Sequence, residues 1–170
     1  MKTKSIMLVF AAFTLLSTAA LAEHRSDSSS VDAVVQALYE SLTFPQGKEP
    51  DLERFRGLFA AGAPCIRVNK DKSVDRMTVD SFILSFQNRI KTGALKSFRE
   101  FEIARKVRAF GQIVHVFSAY RKGINVTDPK EMIRGINSVQ LFYDGGRWWI
   151  GGLMWMDERP DAAIPEEYLQ

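Results

Sequence analysis

Arg67, His115 and Tyr120 are the side chains of this sequence whose types could do chemistry together: a guanidinium able to polarise an oxygen and two groups able to move a proton. Other constellations fail on composition or spacing. Metal binding needs clustered ligands, but the 2 histidines are His24, in a polar N-terminal stretch, and His115, alone in an apolar run. No metal and no cofactor is expected. The sequence contains no GxSxG, no GxxxxGKS/T and no GxGxxG, which removes the usual signals of a serine hydrolase, a phosphate loop and a dinucleotide site. The 1 cysteine, Cys65, is flanked by Pro64, Ile66 and Val68 and reads as a buried, inert thiol, with no disulfide available to it within the chain.

What Arg67, His115 and Tyr120 mean depends on the elements that hold them. The organising stretch runs from Arg134 to Glu158 and reads as two antiparallel strands around Asp144-Gly145-Gly146-Arg147, whose central glycines reach the positive φ of a primed turn. That loop sets a register. Tyr143 opposes Trp148 and Leu141 opposes Ile150 on one face, while Phe142 opposes Trp149 and Gln140 falls near Gly151 on the other. Large aromatics on both faces predict a sheet covered twice, and Gly151-Gly152 predicts a bulge that keeps Trp155 inward.

Upstream, Val31, Val34, Val35, Leu38 and Leu42 recur at helical spacing behind the N-cap Ser30. A shorter helix starting at Pro50 turns Leu52, Phe55, Leu58 and Phe59 inward, and Cys65 to Asn69 reads as a short strand ahead of the charged turn Lys70-Asp71-Lys72. Thr78 caps a third helix with Val79, Phe82, Ile83, Phe86 and Ile90 on one face and Gly93 just past its end. The period then changes to two: Phe101, Ile103 and Val107 alternate with Glu102 and Lys106, and Ile113 to Tyr120 is apolar nearly throughout. Helices segregated from a run of antiparallel strands predict an α+β fold with helices on one sheet face.

The first 22 residues read as a secretory signal peptide: Lys2 and Lys4, an apolar run from Ile6 to Leu16, and a small-x-small site at Ala20-Leu21-Ala22, cleaved after Ala22. Residues 23–30 are polar and serine-rich, a flexible leader, and 31–170 form a single domain with a C-terminal tail. The expected address is periplasmic or secreted. Cleavage lowers the formal charge from +3 to +1, a near balance that argues against nucleic acid or an anionic membrane surface as main partner. Arg105, Lys106, Arg108, Arg121 and Lys122 fall on two adjacent strands, either as an anion patch or as a solvated sheet edge with Glu100 and Glu102 as partners.

The element order and the run from Arg134-Gly135-Ile136-Asn137-Ser138 through Trp148-Trp149-Ile150, Trp155, Glu158, Pro160 and Tyr168-Leu169 resemble the nuclear transport factor 2-like superfamily, with its ketosteroid isomerase and SnoaL-like branches, and within it a group of exported bacterial proteins without assigned activity. The resemblance spans Val31 to Trp155. It implies a cone, the cystatin-like arrangement of a curved antiparallel sheet wrapped around helices with a pocket at the open end. It fixes no chemistry. The isomerase branch implies a carboxylate base in the first short strand, where this chain has Cys65-Ile66-Arg67-Val68-Asn69, and a donor tyrosine in helix one, where Leu38 stands with Tyr39 one step round the helix.

Two readings stay open. In one, the cone binds a small, mostly apolar molecule through Arg67, Phe86, His115, Tyr120, Asn137 and Trp155, and the chain dimerises through an outer face carrying Phe142, Trp149 and Gln140. In the other, a cofactor-free lyase, cyclase or isomerase uses Arg67 with His115 or Tyr120. Trp155 and Phe86 either line the cavity or fill it. The discriminating observation is whether Arg67 and His115 point into one cavity.

Overall fold

The computed structural model describes residues 26–126 and 128–170. The signal peptide, the first residues of the leader and His24 lie outside the described residues. Three helices, α1 (Val31–Leu42), α2 (Leu52–Gly57) and α3 (Val79–Lys91), pack against one face of a six-stranded sheet, and α+β is the observed class. The strands are β1 (Pro64–Val68), β2 (Val74–Thr78), β3 (Phe98–Phe110), β4 (Ile113–Ile124), β5 (Ile133–Asp144) and β6 (Arg147–Asp157), in the order β2-β1-β6-β5-β4-β3.

Local chemistry explains where each helix begins. The Ser30 hydroxyl accepts from the Ala33 N–H at 3.1 Å and opens α1, whose Val34, Val35, Leu38 and Leu42 enter the core. α2 starts at Leu52, with Asp51 as its cap accepting from the Arg54 N–H at 2.9 Å, so Pro50 lies just before the helix and not in its first turn. Thr78 and Ser81 form a reciprocal capping box for α3, and Gly93, at φ 74°, follows its end. Ile83 and Phe86 are the buried residues of α3, with Phe82 and Ile90 packed against the core beside them.

The hairpin register is as the aromatics require: Tyr143 opposes Trp148, Phe142 opposes Trp149 and Leu141 opposes Ile150. Gln140 pairs with Gly152, not Gly151, because Gly151 is the extra residue of the bulge. Ile150 and Leu153 are therefore both inward, at 0% and 6% exposure, and Trp155 follows them on the same face.

Several expectations are corrected. The segment 70–78 is not merely a turn into a helix: Val74–Thr78 forms β2, paired antiparallel to β1, while β1 runs parallel to β6, so the sheet is mixed. The leader is docked from Asp27 onward. Asp27 and Ser28 are buried, the Ser28 carbonyl accepts from the Trp148 N–H at 2.9 Å, and Arg54 grips Asp27 with two hydrogen bonds. In β3 Glu100 and Glu102 follow buried Phe98 on the inner side, and a bulge between Glu102 and Ala104 then reverses the alternation, leaving Ile103 36% exposed and bringing Arg105 inward. The five-residue basic patch is split, at Arg105 by that bulge and at Lys122 by the plain alternation of β4, which puts it on the inner side with Ser118 and Tyr120. Arg105 reaches Asp32 of α1 and Glu102, and Lys122 turns inward to Asp157, which leaves them apart from the other three cations.

Candidate functional site

A cavity of about 800 Å³ opens between α1, α3, the β1–β2 hairpin and the inner sheet face. That volume lies within the range of small-molecule sites. Phe86 and Trp155 line it instead of filling it. Phe82 spaces them apart, with its ring 5.8 Å from Phe86 and 5.7 Å from Trp155. Leu38, Leu42, Phe98 and Leu153 complete the apolar wall, and Cys65 lies buried outside this lining, its thiol pushed up to about 12 by burial.

The cavity floor is polar, and the network that builds it crosses four elements. Asn137 on β5 donates to the Tyr39 hydroxyl at 3.1 Å and to Glu100 Oε1 at 3.3 Å. The Tyr39 and Ser118 hydroxyls share a hydrogen bond of 2.6 Å, and Ser118 donates onward to Glu102 Oε1 at 2.5 Å. With Asn137 donating to Tyr39 and Ser118 donating to Glu102, the hydrogen bonds run one way, from Asn137 through Tyr39 and Ser118 to Glu102. A connected chain of that kind fixes the orientation of each member. Beside it, Lys122 pairs with Asp157, which also accepts from the Tyr120 hydroxyl at 2.5 Å.

This environment sets the protonation of the floor. Burial pushes Glu100 up to about 7, against the opposing charge of Lys122 and the Asn137 hydrogen bond, with Asp157 adding to the rise. Near neutral pH its carboxyl is divided between the neutral and charged forms. Burial chiefly, and then the charges of Asp157 and Glu100, raise Tyr120 far above the ordinary phenol range, so it remains a hydrogen-bond donor. Tyr39 is raised as well, by burial first and then by Glu100.

Of the six pocket residues expected from sequence, Arg67, Phe86, Asn137 and Trp155 line one cavity. Tyr120 lies beneath its floor and acts through Asp157. His115 is on the opposite sheet face, bonded to Ser138 Oγ at 3.0 Å and set edge-on to Phe117. Period two explains this: Val114 and Val116 point into the core, so His115 between them points out. Arg67 and His115 do not share a cavity. Sequence reasoning missed Glu100, Lys122 and Asp157, and it passed over Tyr39 as one step off the inward line of α1. The cavity is wide enough that both Leu38 and Tyr39 reach it. Among the described residues no group of three His, Cys, Asp or Glu side chains could hold a metal ion.

Phe142, Trp149 and Gln140 share the outer face. Cross-strand pairing extends them into one row, Phe110–Ile113–Phe142–Trp149, across β3, β4, β5 and β6, with Phe110 81% and Ile113 59% exposed. Further along this face the C-terminal tail contributes cover, with the Tyr168 ring 4.9 Å from Phe117.

No family model matches the sequence, and no curated protein matches it. The likeness to known proteins is one of shape. A solved structure of a nuclear transport factor 2-like protein of unknown function from Silicibacter pomeroyi is 17% identical, with 75% of this chain and 92% of that chain covered at a TM-score of 0.53. A domain of unknown function with a cystatin-like fold from Nostoc punctiforme is 16% identical, covering 89% of this chain and 79% of its own, at 0.51. A putative calcium/calmodulin dependent protein kinase II association domain from Xanthomonas campestris is 12% identical, with 76% and 86% covered, at 0.56. The chain has the nuclear transport factor 2-like fold.

Proposed function

We propose that this protein is an exported nuclear transport factor 2-like domain that binds a small, mostly apolar molecule in its cone and pairs with a second copy through the outer sheet face. The observation that carries the binding reading is the cavity of about 800 Å³, with Phe82, Phe86, Leu153 and Trp155 on its walls and Asn137 and Glu100 on its floor. Apolar walls with a few converging polar groups are the usual make-up of a small-molecule site. The row Phe110–Ile113–Phe142–Trp149 supports the pairing, since a contiguous apolar strip on a sheet, exposed at Phe110 and Ile113 and half-buried at Phe142 and Trp149, favours burial against a like surface.

The binding reading is tested by thermal shift against a library of small apolar molecules, because a ligand that binds only the folded state raises its stability. Ser85→Trp, which adds bulk to the cavity wall from α3, is expected to abolish the shift while leaving the ligand-free melting temperature near that of the wild type. A library in which nothing raises the wild-type melting temperature, or hits that bind Ser85→Trp equally well, would sink the reading.

A second reading, a cofactor-free cyclase, lyase or isomerase, rests on Glu100. A cavity carboxyl poised at about 7 can both take and give a proton near neutral pH. The proton-transfer role considered for His115 passes to Glu100 in that reading, with Asn137 positioning it.

A further inference from the structure

Arg67 on β1 and Arg89 on α3 line the same cavity from opposite elements. Arg67 has a partner, with its guanidinium donating twice to Asp75 Oδ2, at 2.6 and 3.0 Å. Arg89 is half-buried, and no carboxylate among the described residues lies within ion-pair distance of it. Burial first, and then the charge of Arg67, pull Arg89 below the ordinary arginine range, so the two cations meet across the opening at a cost. Lys70 and Arg76 also line the cavity and carry the same sign. Asp75 is the acid on this side, and Arg67 already engages it. On the floor, Asp157 is paired with Lys122, and Glu100 is pushed up to about 7. The residues lining the cavity include five basic and three acidic ones, and the basic excess lies on the β1–β2 and α3 side.

A half-buried guanidinium held beside a second one is an unfavourable arrangement that an anion would relieve, and the planar arginine fork matches a carboxylate. We propose that the ligand is an amphipathic organic carboxylate, with its anionic head between Arg67 and Arg89 and its apolar body along Phe82, Phe86 and Trp155. This inference rests on the binding reading above and narrows it: the wall requires an apolar body, and the two arginines require a negative head.

The test compares decanoate with decan-1-ol, which share a chain and differ in head charge, by titration calorimetry on the full mature protein at pH 8. Decanoate is expected to bind roughly ten- to a hundredfold more tightly than the alcohol, the range that charge-assisted hydrogen bonds supply. Arg89→Gln is expected to remove that preference with a melting temperature at or above that of the wild type, since Arg89 makes no ion pair in the fold and its loss relieves the repulsion from Arg67. Arg67→Gln serves as a second variant and is expected to weaken decanoate in the same direction. Equal binding of the two compounds to the wild type, or an undiminished preference in Arg89→Gln, overturns the carboxylate inference and leaves the apolar cavity reading standing. Binding of neither compound overturns both.

Discussion

Tyr120 lies across Gly135 so closely that a β-carbon on the glycine would stand 2.2 Å from the phenolic oxygen and 2.5 Å from the Met156 carbonyl oxygen. The two residues are cross-strand neighbours, and Gly135 in turn opposes Asp157, to which the Tyr120 hydroxyl donates at 2.5 Å. The glycine is thus the gap through which a β4 side chain reaches a β6 carboxylate and holds it beneath the cavity. Gly135→Ala must push Tyr120 aside or shift the β6 backbone. The expected loss is about 1–3 kcal/mol, the usual range for overpacking a filled core, plus weakening of the Tyr120–Asp157 bond. Urea denaturation of Gly135→Ala beside Tyr120→Phe checks it: the glycine variant should be the less stable of the two, and equal stability would show that the close approach is easily relaxed.

Glu100 gives a pH dependence whose sign follows from its environment. It faces Tyr39 on α1, Lys122 on β4, Asn137 on β5 and Asp157 on β6, and burial raises it from 4.5 to about 7. Between those values the folded protein holds a proton that the unfolded chain releases, so this group makes stability fall as pH rises from 4.5 to 7 and adds nothing further above 7. The contribution is on the order of 3 kcal/mol across that window. Glu100→Gln, which keeps an oxygen for the Asn137 N–H, should remove it. The gain in stability of the variant over the wild type is expected to be near zero at pH 4.5 and to grow up to pH 7. A difference that stays constant from pH 4.5 to 8 would show that Glu100 titrates as an ordinary surface acid.

The contrast between Glu100 and the hairpin shows where sequence reasoning works. Tyr143, Phe142 and Leu141 could be paired with Trp148, Trp149 and Ile150 because a glycine turn fixes register locally, and Gly151-Gly152 announced its own bulge. Glu100 could not be placed because Phe101, Ile103 and Val107 read as one face, whereas the bulge between Glu102 and Ala104, with no glycine or proline to mark it, puts Val107 opposite buried Val116 and leaves Phe101 and Ile103 on the other side from the two glutamates. Strand β2 was missed for a related reason. Val74-Asp75-Arg76-Met77-Thr78 has a weak apolar alternation and sits at a sheet edge, where burial leaves little pattern to read. His115 was misplaced by ignoring parity: in an apolar strand covered on both faces, identity does not say which face a residue takes, but its position between Val114 and Val116 does.

Asp27 anchors what the sequence presents as a loose leader. Its carboxylate receives Arg54 Nε at 2.8 Å and Nη2 at 2.9 Å, while Arg54 also reaches Glu40. Those hydrogen bonds, Asp27 foremost, raise Arg54 above the ordinary arginine range. Asp27→Ala leaves a guanidinium 18% exposed with Glu40 alone. Because that guanidinium keeps one partner and some water, the loss is expected below the 3–5 kcal/mol of a fully buried broken pair, at about 1–3 kcal/mol. Chemical denaturation of Asp27→Ala, with Asp27→Asn expected to fall between it and the wild type, measures this. No change in either variant would mean that the docked leader adds nothing to stability.

The outer face makes the remaining prediction. Trp149 is held within the protomer by Arg147, whose guanidinium carbon lies 3.7 Å above its ring, and by an Nε1–H bond to the Asp144 carbonyl at 3.3 Å. Phe110, at 81% exposure, is far more open. If copies pair through the row that joins these two residues, a charge at either end should separate them, and Phe110→Glu should do so at little cost to the protomer, while Trp149→Glu also gives up the Arg147 contact. Each is expected to weaken association by at least about thirtyfold, the effect of losing an interface residue worth about 2 kcal/mol. Light scattering coupled to size-exclusion chromatography over a dilution series reads this as a dimer mass for the wild type and a monomer mass for both variants at the same concentration. Retention of the dimer mass by Phe110→Glu and Trp149→Glu would place the subunit contact elsewhere and leave this aromatic row as exposed surface. Loss of the dimer in Trp149→Glu alone would centre the contact on the β5–β6 hairpin, away from the β3–β4 turn.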